Sequence, residues 1–312
     1  MPKHRFVQLD VFTDTHFCGN PLAVFPDGEN IDDDLMLKIA REMNLSETVF
    51  VLPARDDKSL RRLRIYTPAR EIPFAGHPIV GTWNLLAHEN VVPKPEGGNG
   101  WTQIHHEVNI GVLPVDIEFR NNEPEQVVMT QGAFEISSEI DNSTEQAEIA
   151  RALGLNREDL DESLPIQVIS TGLPTLAVPI RSLEDLGRCK VNSSLLADIY
   201  LGAGAMTCYA FSRETIEEGA ARAHARLFAP ADNIAEDPAT GSAGGSLGGY
   251  LIHHGAIAVD PVDERYSFVI EQGDFMKRPS RIHLDVKGKP GAVEQVRVGG
   301  LAVVVAHGEV VY

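Results

Sequence analysis

Two halves of this chain carry the same short motifs in the same order, and that duplication limits the folds open to it. Arg64-Ile-Tyr-Thr-Pro-Ala reads against Arg226-Leu-Phe-Ala-Pro-Ala, and His77-Pro-Ile-Val-Gly-Thr82 against Asp237-Pro-Ala-Thr-Gly-Ser242. Upstream, Asn20-Pro-Leu-Ala-Val-Phe matches Gly172-Leu-Pro-Thr-Leu-Ala-Val-Pro, and Thr48-Val-Phe-Val matches Cys208-Tyr-Ala-Phe. Chance among short strands explains any one match. Four in register, at spacings from 153 (Pro21 to Pro174) to 162 (Arg64 to Arg226), point instead to a duplicated domain. The 312 residues are about twice the length of one ordinary domain, which suits that reading.

Short alternating or apolar runs bounded by Gly, Pro and Asn predict strands at 6–12, 22–25, 48–52, 63–66, 112–119, 126–130, 167–169, 176–180, 207–211, 223–228, 266–271, 282–286 and 295–305. Helical periodicity is confined to 34–43, 79–88, 145–153, 194–201 and about 239–254. Strands outnumber helices, so mixed sheets or barrels with few helices are expected. The expected domains are 1–122, which a C-terminal strand near 301–312 can complete, and 123–300. The polar stretch 121–126 is the candidate hinge.

Charge narrows the partners. With 27 Lys and Arg against 45 Asp and Glu, the net of −18 repels phosphates at long range and argues against nucleic acid or an anionic membrane. No apolar run reaches the length of a signal peptide or a spanning helix, so a cytoplasmic protein is expected. Cys18, Cys189 and Cys208 are odd in number and widely spaced, and read as packing residues.

In each half a strand ends near Pro68 or Pro230, and a helix is expected to begin near His77-Pro or Asp237-Pro. Proline suits a first helical turn, and Asp237, Thr240 or Ser242 can cap the second helix. Facing each other across a pseudo-twofold axis, two such helix starts would form an anion site of backbone N–H groups. The second helix carries five glycines, which cost about 1 kcal/mol each in a helix interior. Close packing accounts for Gly244, Gly245, Gly248 and Gly249; Gly241-Ser242 has a counterpart in Gly81-Thr82 with no such excess. No P-loop or dinucleotide spacing is present.

Glu47, His77 and Asp237 are the acid–base candidates. Each has a plainer reading beside the catalytic one: a surface carboxylate at a strand end for Glu47, a cap or core histidine for His77, an N-cap for Asp237. The pairs His105-His106 and His253-His254 are adjacent in sequence, and adjacent residues do not converge on one metal.

Five stretches make the reading more specific. Phe17-Cys-Gly-Asn-Pro-Leu-Ala-Val, Ile39-Ala-Arg-Glu-Met-Asn-Leu-Ser-Glu-Thr48, Thr67-Pro-Ala-Arg-Glu-Ile-Pro-Phe-Ala-Gly-His-Pro78, Glu236-Asp-Pro-Ala-Thr-Gly-Ser-Ala243 and Gln272-Gly-Asp-Phe-Met-Lys-Arg-Pro-Ser280 resemble the PhzF-like isomerase family of phenazine biosynthesis, in family order and across nearly the whole chain. The resemblance implies an α+β, diaminopimelate-epimerase-like fold: two pseudo-symmetric domains, each a barrel-like sheet round a central helix. It further implies acid–base catalysis without cofactor or metal, a small anionic substrate and commonly a homodimer. Carried over by motif, Glu47 is the catalytic acid/base, with His77 and Asp237 beside it in the site and Gly76, Gly241 and Ser242 binding substrate. The family's best-known reaction moves a proton within trans-2,3-dihydro-3-hydroxyanthranilate. Racemases of this superfamily carry a thiol at each helix start, where this chain has His77-Pro and Asp237-Pro. An epimerase using carboxylate and imidazole is the alternative enzyme, and an inert binding or regulatory member the alternative from another class.

Overall fold

The computed structural model describes residues 3–137 and 139–312. The chain divides into two compact units, one formed by Met1–Met129 with Gly299–Tyr312, the other by Thr130–Val298.

The first unit runs β1 (Lys3–Val11), β2 (Asn20–Phe25), α1 (Asp33–Met43), β3 (Glu47–Leu52), β4 (Arg61–Tyr66), β5 (Glu71–Ile72), α2 (Gly76–His88), β6 (Gly100–Val108), β7 (Gly111–Arg120) and β8 (Glu123–Thr130). β1 pairs antiparallel with β2, and α1 is the crossover that lets β3 lie parallel to β2. β4 is antiparallel to β3 and parallel to β6, and β6 and β7 form a long hairpin. α2 is buried along its length from Gly76 to Ala87, as its nearly all-apolar sequence requires, and packs against β1, β2, β3 and β7.

The second unit runs β9 (Glu135–Ile136), α3 (Ser143–Ala152), β10 (Gln167–Ser170), β11 (Thr175–Pro179), α4 (Leu183–Gly187), α5 (Ser193–Gly202), β12 (Thr207–Ser212), β13 (Ala221–Ala229), β14 (Ile234–Asp237), α6 (Gly241–His253), β15 (Arg265–Gln272), β16 (Ser280–Lys289) and β17 (Ala292–Gly300). β18 (Ala302–Val311) belongs to the first unit, antiparallel to β1.

The pairings repeat along the motif spacings. Leu22 lies opposite Glu47 in the first unit, and Thr175 opposite Thr207 in the second; Thr48 opposite Tyr66 is matched by Cys208 opposite Phe228. β11 and β12 are parallel like β2 and β3, and β13 and β15 like β4 and β6. α6 is the buried counterpart of α2, and its glycines are there for packing. A Cβ on Gly245 would lie 2.7 Å from Val298 Cγ2, on Gly248 2.5 Å from Leu284 Cδ1, and on Gly249 2.5 Å from Phe134 Cδ2. The same holds for Gly81 in α2, 2.6 Å from Val11 Cγ2.

Four features differ from the reading of the sequence. α2 begins at Gly76, three residues ahead of the periodicity at 79–88 and next to the start expected near His77-Pro; Gly76, His77 and Pro78 form its first turn, where proline leaves no hydrogen bond unmade. α6 begins at Gly241: Asp237 ends β14, and Pro238 lies ahead of the helix rather than inside its first turn. The stretch 121–126 is no linker. Asn121 and Asn122, both at positive φ, are the two-residue turn of the β7–β8 hairpin, flanked by the pair Arg120 and Glu123. The run 295–305 is two strands, separated at Leu301.

Among the described residues no helix is long and apolar enough to cross a membrane, and no group of three or more His, Cys, Asp or Glu could hold a metal ion. Cys189 and Cys208 are buried in the core of the second unit, where burial raises both thiols, Cys189 to about 11.

Candidate active site

Glu47 takes its place from the end of a helix. α1 stops at Asn44, whose left-handed backbone returns its N–H to Ala40 O, and three residues later β3 opens on Glu47. The parallel register sets Leu22 beside Glu47, and Ser46 Oγ donates to Asn20 Oδ1 at 3.2 Å, tying the turn to the start of β2. β4 runs antiparallel to β3 and its far end leads through β5 into α2, so the start of α2 returns to the Glu47 end of the sheet. There His77 Nε2 stands 3.4 Å from Glu47 Oε2, with both side chains largely buried.

A carboxylate that close ordinarily favours an imidazolium. Burial dominates here and takes the His77 pKa down to about 3, so the ring is neutral at neutral pH. The pair is therefore a carboxyl group facing a neutral imidazole in a dry setting, which suits proton transfer better than a charge-saturated ion pair would.

The helix starts have a second property. α1, α3, α4 and α5 are capped by the side chains of Asp32, Asn142, Ser182 and Asn192. The two buried central helices are not: Ala75 precedes α2 and Thr240 precedes α6, neither with a side-chain cap bond. First-turn N–H groups, those of Gly76 and His77 in one unit and of Gly241 and Ser242 in the other, are thus left without a capping side chain.

In the second unit Asp237 is held by a buried polar chain. Thr240 Oγ1 donates to Asp237 Oδ2, and Gln272 Nε2 donates to Asp237 O at 2.7 Å and to Thr240 Oγ1 at 3.2 Å. Gln272 Oε1 accepts from Tyr209 OH at 2.7 Å and from Thr240 N at 3.2 Å. Ser242 O accepts from Ser246 Oγ at 3.0 Å. The structure thus gathers Glu47, Gly76 and His77 within the first unit, and Asp237, Gly241 and Ser242 within the second.

Positioning residues escaped the sequence reading. Arg64 forks onto Glu71 at 2.8 and 2.7 Å and also reaches Asp33, while Arg226 forks onto Glu236 at 2.8 and 2.7 Å. Each ion pair clamps the fourth strand of its repeat to the short strand ahead of the central helix, Glu236 being next to Asp237. The available signal was the arginine repeated at the head of both Arg-x-x-x-Pro-Ala motifs.

Comparison with known proteins agrees with this architecture. Residues 9–308 match the family model described as phenazine biosynthesis-like protein, PhzC-PhzF. An uncharacterized isomerase of Clostridium acetobutylicum is 34% identical over 99% of this chain and 98% of its own length. The trans-2,3-dihydro-3-hydroxyanthranilate isomerase of Pseudomonas fluorescens is 32% identical over 99% of both chains. The crystal structure of a PhzF-family phenazine biosynthesis protein from Bacillus anthracis superposes with a TM-score of 0.85, at 28% identity, covering both chains entirely. A duplicated fold with two buried central helices and whole-length relatives of this kind defines an isomerase with a diaminopimelate-epimerase-like fold. Within that class, the chain belongs to the PhzF family.

Proposed function

We propose that this isomerase relocates a proton within a small cyclic substrate bearing a carboxylate, with Glu47 as the acid/base. The observation that carries the reading is the 3.4 Å approach of Glu47 to a neutral His77 in the first turn of a buried, uncapped helix. The Glu47 carboxylate takes a proton from a ring carbon, and the electron pair left behind shifts into the adjoining double bond. The resulting carboxylic acid then returns the proton to a second carbon, so that atoms balance without oxidant, metal or cofactor. His77, uncharged, stands against the carboxyl at 3.4 Å and adds no charge that would trap it as an ion pair.

The uncapped amides of α2 suit the substrate carboxylate or the enolate that forms during transfer. Asp237, Gly241 and Ser242 are candidates for substrate contact on the same ground, uncapped amides beside a buried carboxylate. The names of relatives such as the P. fluorescens enzyme make trans-2,3-dihydro-3-hydroxyanthranilate the first compound to assay.

Glu47→Gln keeps the side-chain shape and removes the proton shuttle, so kcat should fall by about 10²-fold or more with folding intact. Turnover is measured on that compound and on a panel of cyclic hydroxy and amino acids, with products followed by NMR in heavy water. A shifted double bond supports the reading. Inversion at one carbon with the bond order unchanged, or full turnover by Glu47→Gln, would sink it.

A further inference from the structure

The Phe17-Cys-Gly-Asn motif has no part in the chemistry above, yet the first unit holds it in a costly conformation. Phe17 lies in the left-handed region at φ +66°, which a bulky L-residue rarely adopts, and its side chain is 71% exposed, so burial gives nothing back. Its amide N–H is taken at 2.7 Å by Asp10 Oδ2, from a residue only 2% exposed. Two further turns of the same loop, at Phe12 (φ +64°) and Gly19 (φ +63°), are also left-handed. A buried carboxylate thus fixes the backbone beneath an aromatic side chain that itself gains nothing from burial.

The loop's place in the sheet says what it faces. It closes the β1–β2 hairpin, whose last pair is Val11 and Asn20. Asn20 accepts from Ser46, the residue before Glu47, so the loop springs from the sheet end where Glu47 and His77 meet. Phe17, three residues from Asn20, is held within about 11 Å of it by chain length alone.

We infer that Phe17 is a specificity-determining residue of the Glu47 site, presenting a fixed aromatic face to the ring of a planar or near-planar carboxylate substrate, with Asp10 as the positioning residue that holds it there. Aromatic rings meet such faces by offset stacking, which selects ring shape without affecting proton transfer. The inference rests on the proposed reading of Glu47 and adds the shape of the substrate body to it.

The test uses the whole protein, with 3-hydroxyanthranilate as an unreactive planar probe. Calorimetric Kd, melting midpoint, KM and kcat are measured for the wild type, Phe17→Gly, Phe17→Tyr and Glu47→Gln. Glycine adopts φ +66° freely, so Phe17→Gly should melt no lower than the wild type. It should bind the probe about tenfold more weakly or worse and raise KM with kcat nearly unchanged, while Phe17→Tyr behaves as wild type. Unchanged probe affinity in Phe17→Gly, a lowered melting midpoint there, or no binding of the probe by the wild type would each overturn the inference. Glu47→Gln separates the two ideas: turnover retained in that variant defeats the acid/base reading, whereas the effect of Phe17→Gly on binding is read without turnover.

Discussion

His77 and His106 are both kept uncharged by burial, the first at a pKa of about 3 and the second at about 4. The ordinary value is near 6.5, so the unfolded chain binds protons between these limits that the folded chain refuses. Stability from this source is therefore fully present above about pH 6.5 and declines as the pH falls, by up to about 1.4 kcal/mol per pH unit for each ring, levelling off below the folded values. Denaturant unfolding at pH 7.5, 6 and 5 should show that decline, and His77→Gln should remove roughly half of it. A slope over pH 5–6.5 identical in His77→Gln would show that other groups carry the acid sensitivity. At this scale the sequence was informative about residue type and poor about state. Glu47 and His77 stood out by motif, but the neutrality of the ring depends on what α2 is packed against, which no local pattern records.

Among elements, α6 shows how a poor helix sequence becomes a stable helix. Its glycines let β-strand side chains approach the backbone, so the effect of adding a methyl group depends on what it meets. At Gly244 a new Cβ would be 3.1 Å from Ile282 Cγ2 and 3.2 Å from Ile282 Cδ1, a fit that needs a few tenths of an ångström of relief. At Gly245 it would be 2.7 Å from Cγ2 of Val298, a fully buried β-branched side chain with little freedom to turn away. Helix propensity gains about 1 kcal/mol in either case. Gly244→Ala should accordingly stay within about 1 kcal/mol of wild type, while Gly245→Ala should lose about 1–2 kcal/mol to overpacking. Denaturant midpoints at constant m value measure the contrast; equal effects would deny that packing distinguishes the two sites. Element boundaries were legible where apolar periodicity was clean, as in α1 and β12. β6 was missed because its inward positions are Gly100, Thr102, Ile104, His106 and Val108, only two of them strongly apolar, and two adjacent histidines blur the alternation. The start of α2 was legible from proline chemistry, which set it near His77-Pro, and not from periodicity, which begins only at Ile79 because Gly76, His77 and Pro78 carry no apolar repeat of their own.

For the molecule as a whole, duplication was the most legible property, since the motif spacings in the sequence are the spacings of the strand pairs. What it conceals is asymmetry. The position equivalent to Glu47 is Thr207, nearly buried, whose hydroxyl donates at 3.0 Å to Thr175, itself the equivalent of Leu22. One repeat carries a carboxylate at this place and the other a neutral hydroxyl pair, so the duplication has not produced two like acid/base centres there. Net charge acts at the same scale. With 27 basic against 45 acidic residues, the protein repels an approaching carboxylate out to the Debye length, about 30 Å at 10 mM salt and about 8 Å at 150 mM. The helix-start amides of α2 act only within a turn or so of the helix end, where salt screens little. Raising the salt should therefore weaken the long-range repulsion more than the local attraction. We expect kcat/KM for the carboxylate substrate to rise between 10 and 150 mM salt through a falling KM, with kcat nearly level. A kcat/KM that falls with salt would instead mean that a positive local field already dominates the approach to Glu47.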